Sequence, residues 1–223
     1  MTPYVRIASL ICFTLLLFAV VGCISQPIPL HRYVNPFIGT GGHGHTYPGA
    51  TAPFGMVQLS PDSRLTGWDG CGGYHYSDSV IYGFSHTHLQ GTGVSDYGDI
   101  LFAPCTQFND EAALWSDRYA SRFSHEDEQA HAGYYQVYLD DQKINVELTA
   151  TERVGVHRYR LDEPDTLTLI IDMQHRDDLV NYSIYPLGDS LLVGHRISDN
   201  WAREQHVYLS LIHISEPTRL TCI

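Results

Sequence analysis

Lysine is almost absent: Lys143 stands alone, and Lys and Arg together number 13 against 25 Asp and Glu in 223 residues. Binding to a phosphate backbone needs clustered cations. The arginines are scattered and the formal net charge is -12, so nucleic acid is excluded as a partner. Charge of either sign is sparse, at 17% of residues, below the roughly 25% of an average soluble domain. Cysteine is scarce too. Beyond Cys12 and Cys23 only Cys71, Cys105 and Cys222 remain, too few for a disulfide framework. A Cys71–Cys105 bridge and two buried thiols both stay open, because spacing alone does not place their Cα atoms within reach. Helical periodicity is nearly missing from 33–100, and no internal repeat is visible. Hydrophobic residues at 43% still supply a core, which rules out wholesale disorder.

A single long apolar run is present, Ile7–Val21, broken only by Ser9 and Thr14 and preceded by Arg6. At about 15 residues it suits a secretory signal, where a spanning helix needs about 20. It closes on Val20-Val21-Gly22-Cys23, which resembles a bacterial lipobox; an ordinary signal peptide followed by a chance Cys is the alternative. The expectation is a lipoprotein signal over 1–22, a lipid on Cys23 and a tether over 23–32. Export follows, with a membrane anchor on the outer membrane, facing the periplasm or the cell surface, since Ile24 is not Asp. At the other end, 210–223 resembles a sequencing adapter translated into the reading frame, with a genuine short tail as the alternative.

Between these ends, 33–209 is expected to form one all-β domain. Tyr135, Val137 and Leu139 alternate onto one face, as do Ile144, Val146, Leu148 and Ala150. Val154–Leu161, Thr166–Met173, Ser190–Ile197 and His206–Leu209 continue the pattern between polar turns. Short period-two runs of this kind indicate an antiparallel sandwich. The acidic stretch 109–131, with Glu126-Asp127-Glu128, reads as a long exposed loop or a short helix starting near Asn109.

Residues 35–99 combine many glycines with Trp, Tyr, His and Asp. Glycine forfeits backbone entropy on ordering, so a stretch this rich in it suits a wet binding surface. Three ligand classes compete. His43-Gly-His45 and His86-Thr-His88 are His-x-His pairs that share a face if extended, and either pair offers two metal ligands. Gly39-Thr-Gly-Gly-His43-Gly resembles a phosphate cradle but lacks the Lys-Ser/Thr ending of a P-loop. Carbohydrate is the third, because aromatic faces stack on sugar CH groups while Asp and His pair with hydroxyls.

Longer motifs separate these readings. Val34-Asn-Pro-Phe-Ile-Gly-Thr-Gly-Gly-His-Gly-His-Thr-Tyr-Pro-Gly-Ala, Gly67-Trp-Asp-Gly-Cys-Gly-Gly-Tyr-His-Tyr76, Gly83-Phe-Ser-His-Thr-His-Leu-Gln-Gly-Thr-Gly93 and Asp96-Tyr-Gly-Asp99 occur in this order. With Leu148–Tyr159 and Trp201–Tyr208, they resemble the N-terminal domain of glycoside hydrolase family 92, bacterial exo-acting α-mannosidases. Gly72 departs from the pattern, where Ser is expected.

The resemblance implies an antiparallel β-supersandwich, galactose-mutarotase-like, followed by an (α/α)6-barrel that this chain lacks. It implies a calcium-dependent, inverting enzyme acting on mannose-containing glycans, α-1,2-linked ones foremost. Its catalytic acid and base, and the calcium ligands, would lie beyond this fragment. No catalytic or metal residue is therefore assigned here. Trp68 is the expected sugar platform, a core or interface tryptophan being the alternative, with Asp69, Gly41, Gly42 and His43 as further substrate contacts. Asp96 and Asp99 are expected to cap turns and pair with loop amides, and His43, His45, His86 and His88 to organise loops. Tyr74, His75 and Tyr76 read as strand residues with one buried face. A non-catalytic carbohydrate-binding lipoprotein is the rival from another class.

Overall fold

A computed structural model describes residues 28–106 and 119–212. Cys23, the signal segment, the start of the acidic stretch near Asn109 and 213–223 lie outside the described residues. The chain divides into two units, Met1–Tyr33 and Val34–Ile223. In the first, Leu30–Tyr33 forms one 3-10 turn. The second is built of antiparallel sheets.

A five-stranded sheet runs β1 (Ala50–Thr51), β2 (Gln58–Asp62), β4 (Gly83–Ser85), β5 (Leu101–Cys105), β11 (Thr168–Asp172). A four-stranded sheet runs β10 (Gly155–Leu161), β9 (Ile144–Ala150), β8 (Tyr134–Leu139), β7 (Gln129–His131). A third holds β12 (Asp178–Pro186), β13 (Leu191–Asp199) and β14 (Gln205–Ile212), and β3 (Val80–Ile81) pairs with β6 (Ser121–Arg122). The expected all-β antiparallel sandwich is present.

Alternation explains the core. Tyr135, Val137 and Leu139 of β8 stand opposite Leu148, Val146 and Ile144 of β9, and all six are buried. They meet Ala50, Leu59 and Phe84 of the five-stranded sheet in one cluster. Burying a branched or aromatic side chain of this size contributes roughly 1.5–3 kcal/mol. The register Pro61–Phe84–Phe102–Ile171 puts these four on one face of the five-stranded sheet. At its β5–β11 end that face packs against Val207, Leu209 and Leu211 of β14. Leu101, Ala103 and Cys105 point the other way, into a cluster with Tyr119 and Ile170. Ser60, Asp62 and Ser85 share that other face further along. The glycine-rich loops seat there.

Two expectations need correction. In its described part, 119–131, the acidic segment is not a long exposed loop: β6, a 3-10 turn at His125–Asp127 and β7 run through it. Glu128 is buried because it has three internal donors, Tyr74 Oη at 2.9 Å, Tyr135 Oη at 2.6 Å and His125 Nδ1 at 2.6 Å. Nor do Tyr74, His75 and Tyr76 form a strand. They run irregularly along the 37–46 loop, with Tyr76 N–H donating to Thr40 O at 2.9 Å. Cys71 and Cys105 are both buried and are not bridged.

Candidate carbohydrate-contact site

Three loops, 39–46, 64–73 and 88–99, converge. Cys71 Sγ donates to Thr92 O at 3.0 Å, and Gly91 N–H to His45 O at 2.7 Å. Trp68 rises from the middle loop and remains 64% exposed. Its ring lies over Gly93, where any Cβ would overlap the indole carbons, and His45 meets it edge-on at 5.1 Å between centroids. His45 Nε2 is buried there without a hydrogen-bond partner. A Cβ at Gly72 would meet only ordinary contacts, so the departure from Ser costs the loop nothing sterically.

Beside Trp68, Asp69 Oδ1 accepts from His43 Nδ1 at 2.9 Å. The hydrogen bond and charge of Asp69 raise the His43 pKa, and the same bond holds the Asp69 carboxyl below its ordinary range. Asp69 therefore stays ionised near neutrality. It suits accepting from sugar hydroxyls and does not suit a general acid, which needs a raised pKa. Gly42 O pairs with His75 Nε2 at 3.0 Å, and Gly41 lies against Tyr76. Of the five expected contacts, Trp68, Asp69 and His43 come together, while the two glycines turn toward His75 and Tyr76.

What holds these loops was not legible in the sequence. Arg176, nearly fully buried, donates to Cys71 O at 3.1 Å, Ser95 Oγ at 2.8 Å, Arg64 O at 2.6 Å and Asp62 Oδ1 at 3.1 Å. Its own backbone is left-handed, φ 71°, a strained state for a side-chain-bearing residue. Asp62 is wholly buried, and also accepts from Ser85. Burial opposes its ionisation, yet the charges and hydrogen bonds of His175 and His88 outweigh that and hold the carboxyl well below its ordinary range.

The other acidic candidates are structural. Asp96 accepts from Tyr97 N–H at 3.0 Å and Ala202 N–H at 2.9 Å, as expected of a loop cap. Asp99 does not cap a turn through loop amides. It is a buried ion-pair partner of Arg196, and also accepts from Thr87 Oγ1 and Gln205 Nε2. Asp177 is pushed up to about 6, by burial first, against the Asn200 hydrogen bond, and then by Asp96 and Asp99. It is closed off from any ligand by burial.

The His-x-His pairs do not converge on one ion. His86 Nδ1 donates to Ile100 O at 2.8 Å, whereas His88 Nδ1 donates to Gln58 O at 2.7 Å. Among the described residues no group of three or more His, Cys, Asp or Glu is placed to hold a metal. Asp62 is ringed by Arg and His, the wrong neighbours for calcium, which takes oxygen ligands. The residues here do not fit a calcium site.

His86 instead joins a directional chain. Because Ile100 O only accepts, His86 carries its proton on Nδ1, so His86 Nε2 accepts from His157 Nε2 at 3.0 Å. His157 Nδ1 then accepts from Tyr159 Oη at 2.9 Å. Both rings are neutral. Burial lowers His86 to about 4, partly offset by the Ile100 bond; burial first, and then repulsion from His86 once it too is protonated, holds His157 well below 6.5. The unfolded chain binds these protons near pH 6.5, so their contribution is intact above that and is lost as pH falls toward about 4. Asp177, with its raised pKa, acts in the opposite sense between about 6 and 3.8. The expected result is a wild-type melting temperature that falls from pH 7 to pH 4.5 more steeply than that of His157→Leu. Parallel curves for the two proteins would refute this assignment.

Comparison with known proteins bears on the family and the fold. Residues 33–221 match the model of the glycosyl hydrolase family 92 N-terminal domain. The family GH92 α-mannosidase BT3965 of Bacteroides thetaiotaomicron superposes with a TM-score of 0.76 at 37% identity, over 84% of this chain and 26% of that one. The inverting family GH92 mannosidase BT2199 of the same organism gives 0.65 at 26% identity, over 79% and 24%. An uncharacterized secreted glycosidase of Arthroderma benhamiae is 31% identical over 138 residues, 57% of this chain and 17% of its own length. The chain thus spans about a quarter of its solved relatives and less of the curated one.

Proposed function

Since the chain belongs to glycoside hydrolase family 92, we propose that it is the N-terminal β-sandwich of an exported, calcium-dependent, inverting exo-α-mannosidase acting on mannose-containing glycans, α-1,2-linked ones foremost. The observation that carries the reading is the exposed Trp68 ring, held over Gly93, with the ionised Asp69 and His43 beside it. A pyranose laid on the indole meets an apolar face and, at its rim, a carboxylate acceptor.

Inversion needs an acid and a base roughly 6.5–9.5 Å apart around a water. None of the acidic candidates at this site suits the acid: Asp62, Asp96, Asp99 and Asp177 are buried in structural bonds, and Asp69 is held ionised. As the family resemblance implies, the acid, the base and the calcium ligands would lie in an (α/α)6-barrel beyond residue 209. Calcium would there help distort the sugar. This chain's part is to present one wall of the site. The test is mannose release from an α-1,2-mannobioside. The parent protein is expected to release it and the 223-residue chain alone is not; release by the pure chain would show the acid and base misplaced.

The leader completes the proposal. Lipid on Cys23, after removal of 1–22, would anchor the enzyme in the outer membrane. Mass spectrometry of the mature protein should find a lipid-modified Cys at its start; an unmodified start at Ser25 or later would sink the anchor. No helix among the described residues is long and apolar enough to cross a membrane.

A further inference from the structure

Tyr76 is 46% exposed but tightly held. Its ring stacks on His125 at 4.1 Å and 12°, and Phe37 meets it edge-on at 5.8 Å. His125 is itself fixed by the buried Glu128, which also anchors Tyr74 and Tyr135. An exposed aromatic that the interior clamps this firmly has already lost its rotamer freedom, so a ligand need not order it. Beside it lies an open cleft of about 370 Å³, lined by Asn35, Phe37, Ile38, Thr40, Gly41 and Tyr76. That volume is at the lower end of small-ligand sites, which begin at roughly 300 Å³.

The lining carries no charge, and the whole chain is acidic. Both disfavour a phosphate or carboxylate ligand and leave a neutral polyol with an apolar face. Asn35 spends its side-chain oxygen on Phe37 N–H at 3.0 Å, which leaves its amide nitrogen as a donor. Gly41 lines the cleft, and two residues on, roughly 7 Å along the backbone, His43 bonds Asp69 next to Trp68. The cleft is therefore continuous with the loop that carries the candidate sugar contacts.

We propose that this cleft is a second carbohydrate subsite, taking a pyranose unit further along a mannose glycan whose end rests on Trp68. The apolar face of that unit lies on Tyr76 and Ile38, and the Asn35 amide donates to a hydroxyl. The proposal rests on the sugar reading of Trp68 for the identity of the ligand, but its residues and signals are separate.

The experiment is NMR of the full chain titrated with methyl α-mannoside and, separately, with a linear mannotrioside. The indole N–H of Trp68 reports the first site, and the Ile38 methyl and Gly41 amide report the cleft. The expected result is that the monosaccharide shifts Trp68 alone, while the trioside shifts both groups and binds about tenfold more tightly. Tyr76→Ala should abolish that tenfold advantage and leave the monosaccharide response intact. Ile38→Ser, at an exposed position outside the core, should weaken it without disturbing the fold. Cleft signals that stay fixed with the trioside while Trp68 moves overturn the subsite. Cleft signals that move while Trp68 stays silent uphold the subsite and overturn the Trp68 reading. Silence from both sites at tens of millimolar sugar overturns both.

Discussion

Arg196→Met should lower the melting temperature by about 10 °C, the largest single effect expected of a substitution in this chain. Arg196 has no exposed surface. From β13 its guanidinium pairs with Asp99 and donates to Met173 O at 2.8 Å, His175 O at 3.0 Å and Asp177 O at 3.1 Å. Removing it strands a buried carboxylate, and losing one partner of such a pair costs about 3–5 kcal/mol. In a domain of this size each kcal/mol is worth about 2–4 °C. Arg196→Lys should recover little, because an ammonium cannot fork to three carbonyls and a carboxylate. Adding Asp99→Asn to Arg196→Met should recover part of the loss, since the stranded charge is gone. Equal melting temperatures for Arg196→Met and wild type would show that the guanidinium contributes nothing net.

Trp68→Ala in the complete parent should cost about 10- to 100-fold in kcat/KM, from roughly 1–3 kcal/mol of lost apolar contact at 1.4 kcal/mol per decade. The melting temperature should hold, because the ring is mostly exposed and fills no core. Gly93→Val offers an independent route to the same loss: its side chain would occupy the space under the indole and displace it without removing it. Wild-type kinetics in Trp68→Ala would remove the residue from the site. A collapsed melting temperature would make it a structural tryptophan.

Much of the fold was legible where one face of a strand is buried and the other is not. β8 and β9 announce themselves by alternation, and their buried faces are the expected ones. β5 could not, because all five of its residues are buried and Leu-Phe-Ala-Pro-Cys shows no period. β12 was missed for the converse reason. Most of it is exposed, and an irregularity between Leu179 and Asn181 breaks its alternation. Glu128 misled because a run of three acidic residues, Glu126 to Glu128, suggests solvent, while its tyrosine and histidine donors arrive from other elements. At the site, Trp68, Asp69 and His43 stand out by residue type. Arg176 does not, since most of its partners are backbone carbonyls and distant side chains that leave no local pattern.

The same clamp sets the order in which the site is made. Arg176 closes on Cys71, Arg64 and Asp62 across separations of 105, 112 and 114 residues. At typical rates of about 5–20 residues per second, roughly 5–20 seconds of synthesis separate the Trp68 loop from the arginine that fixes it. Through that interval the loop's carbonyls lack their donor and its glycines keep their freedom. The aromatic platform is thus among the earliest parts of the domain to be synthesised and among the last to be shaped.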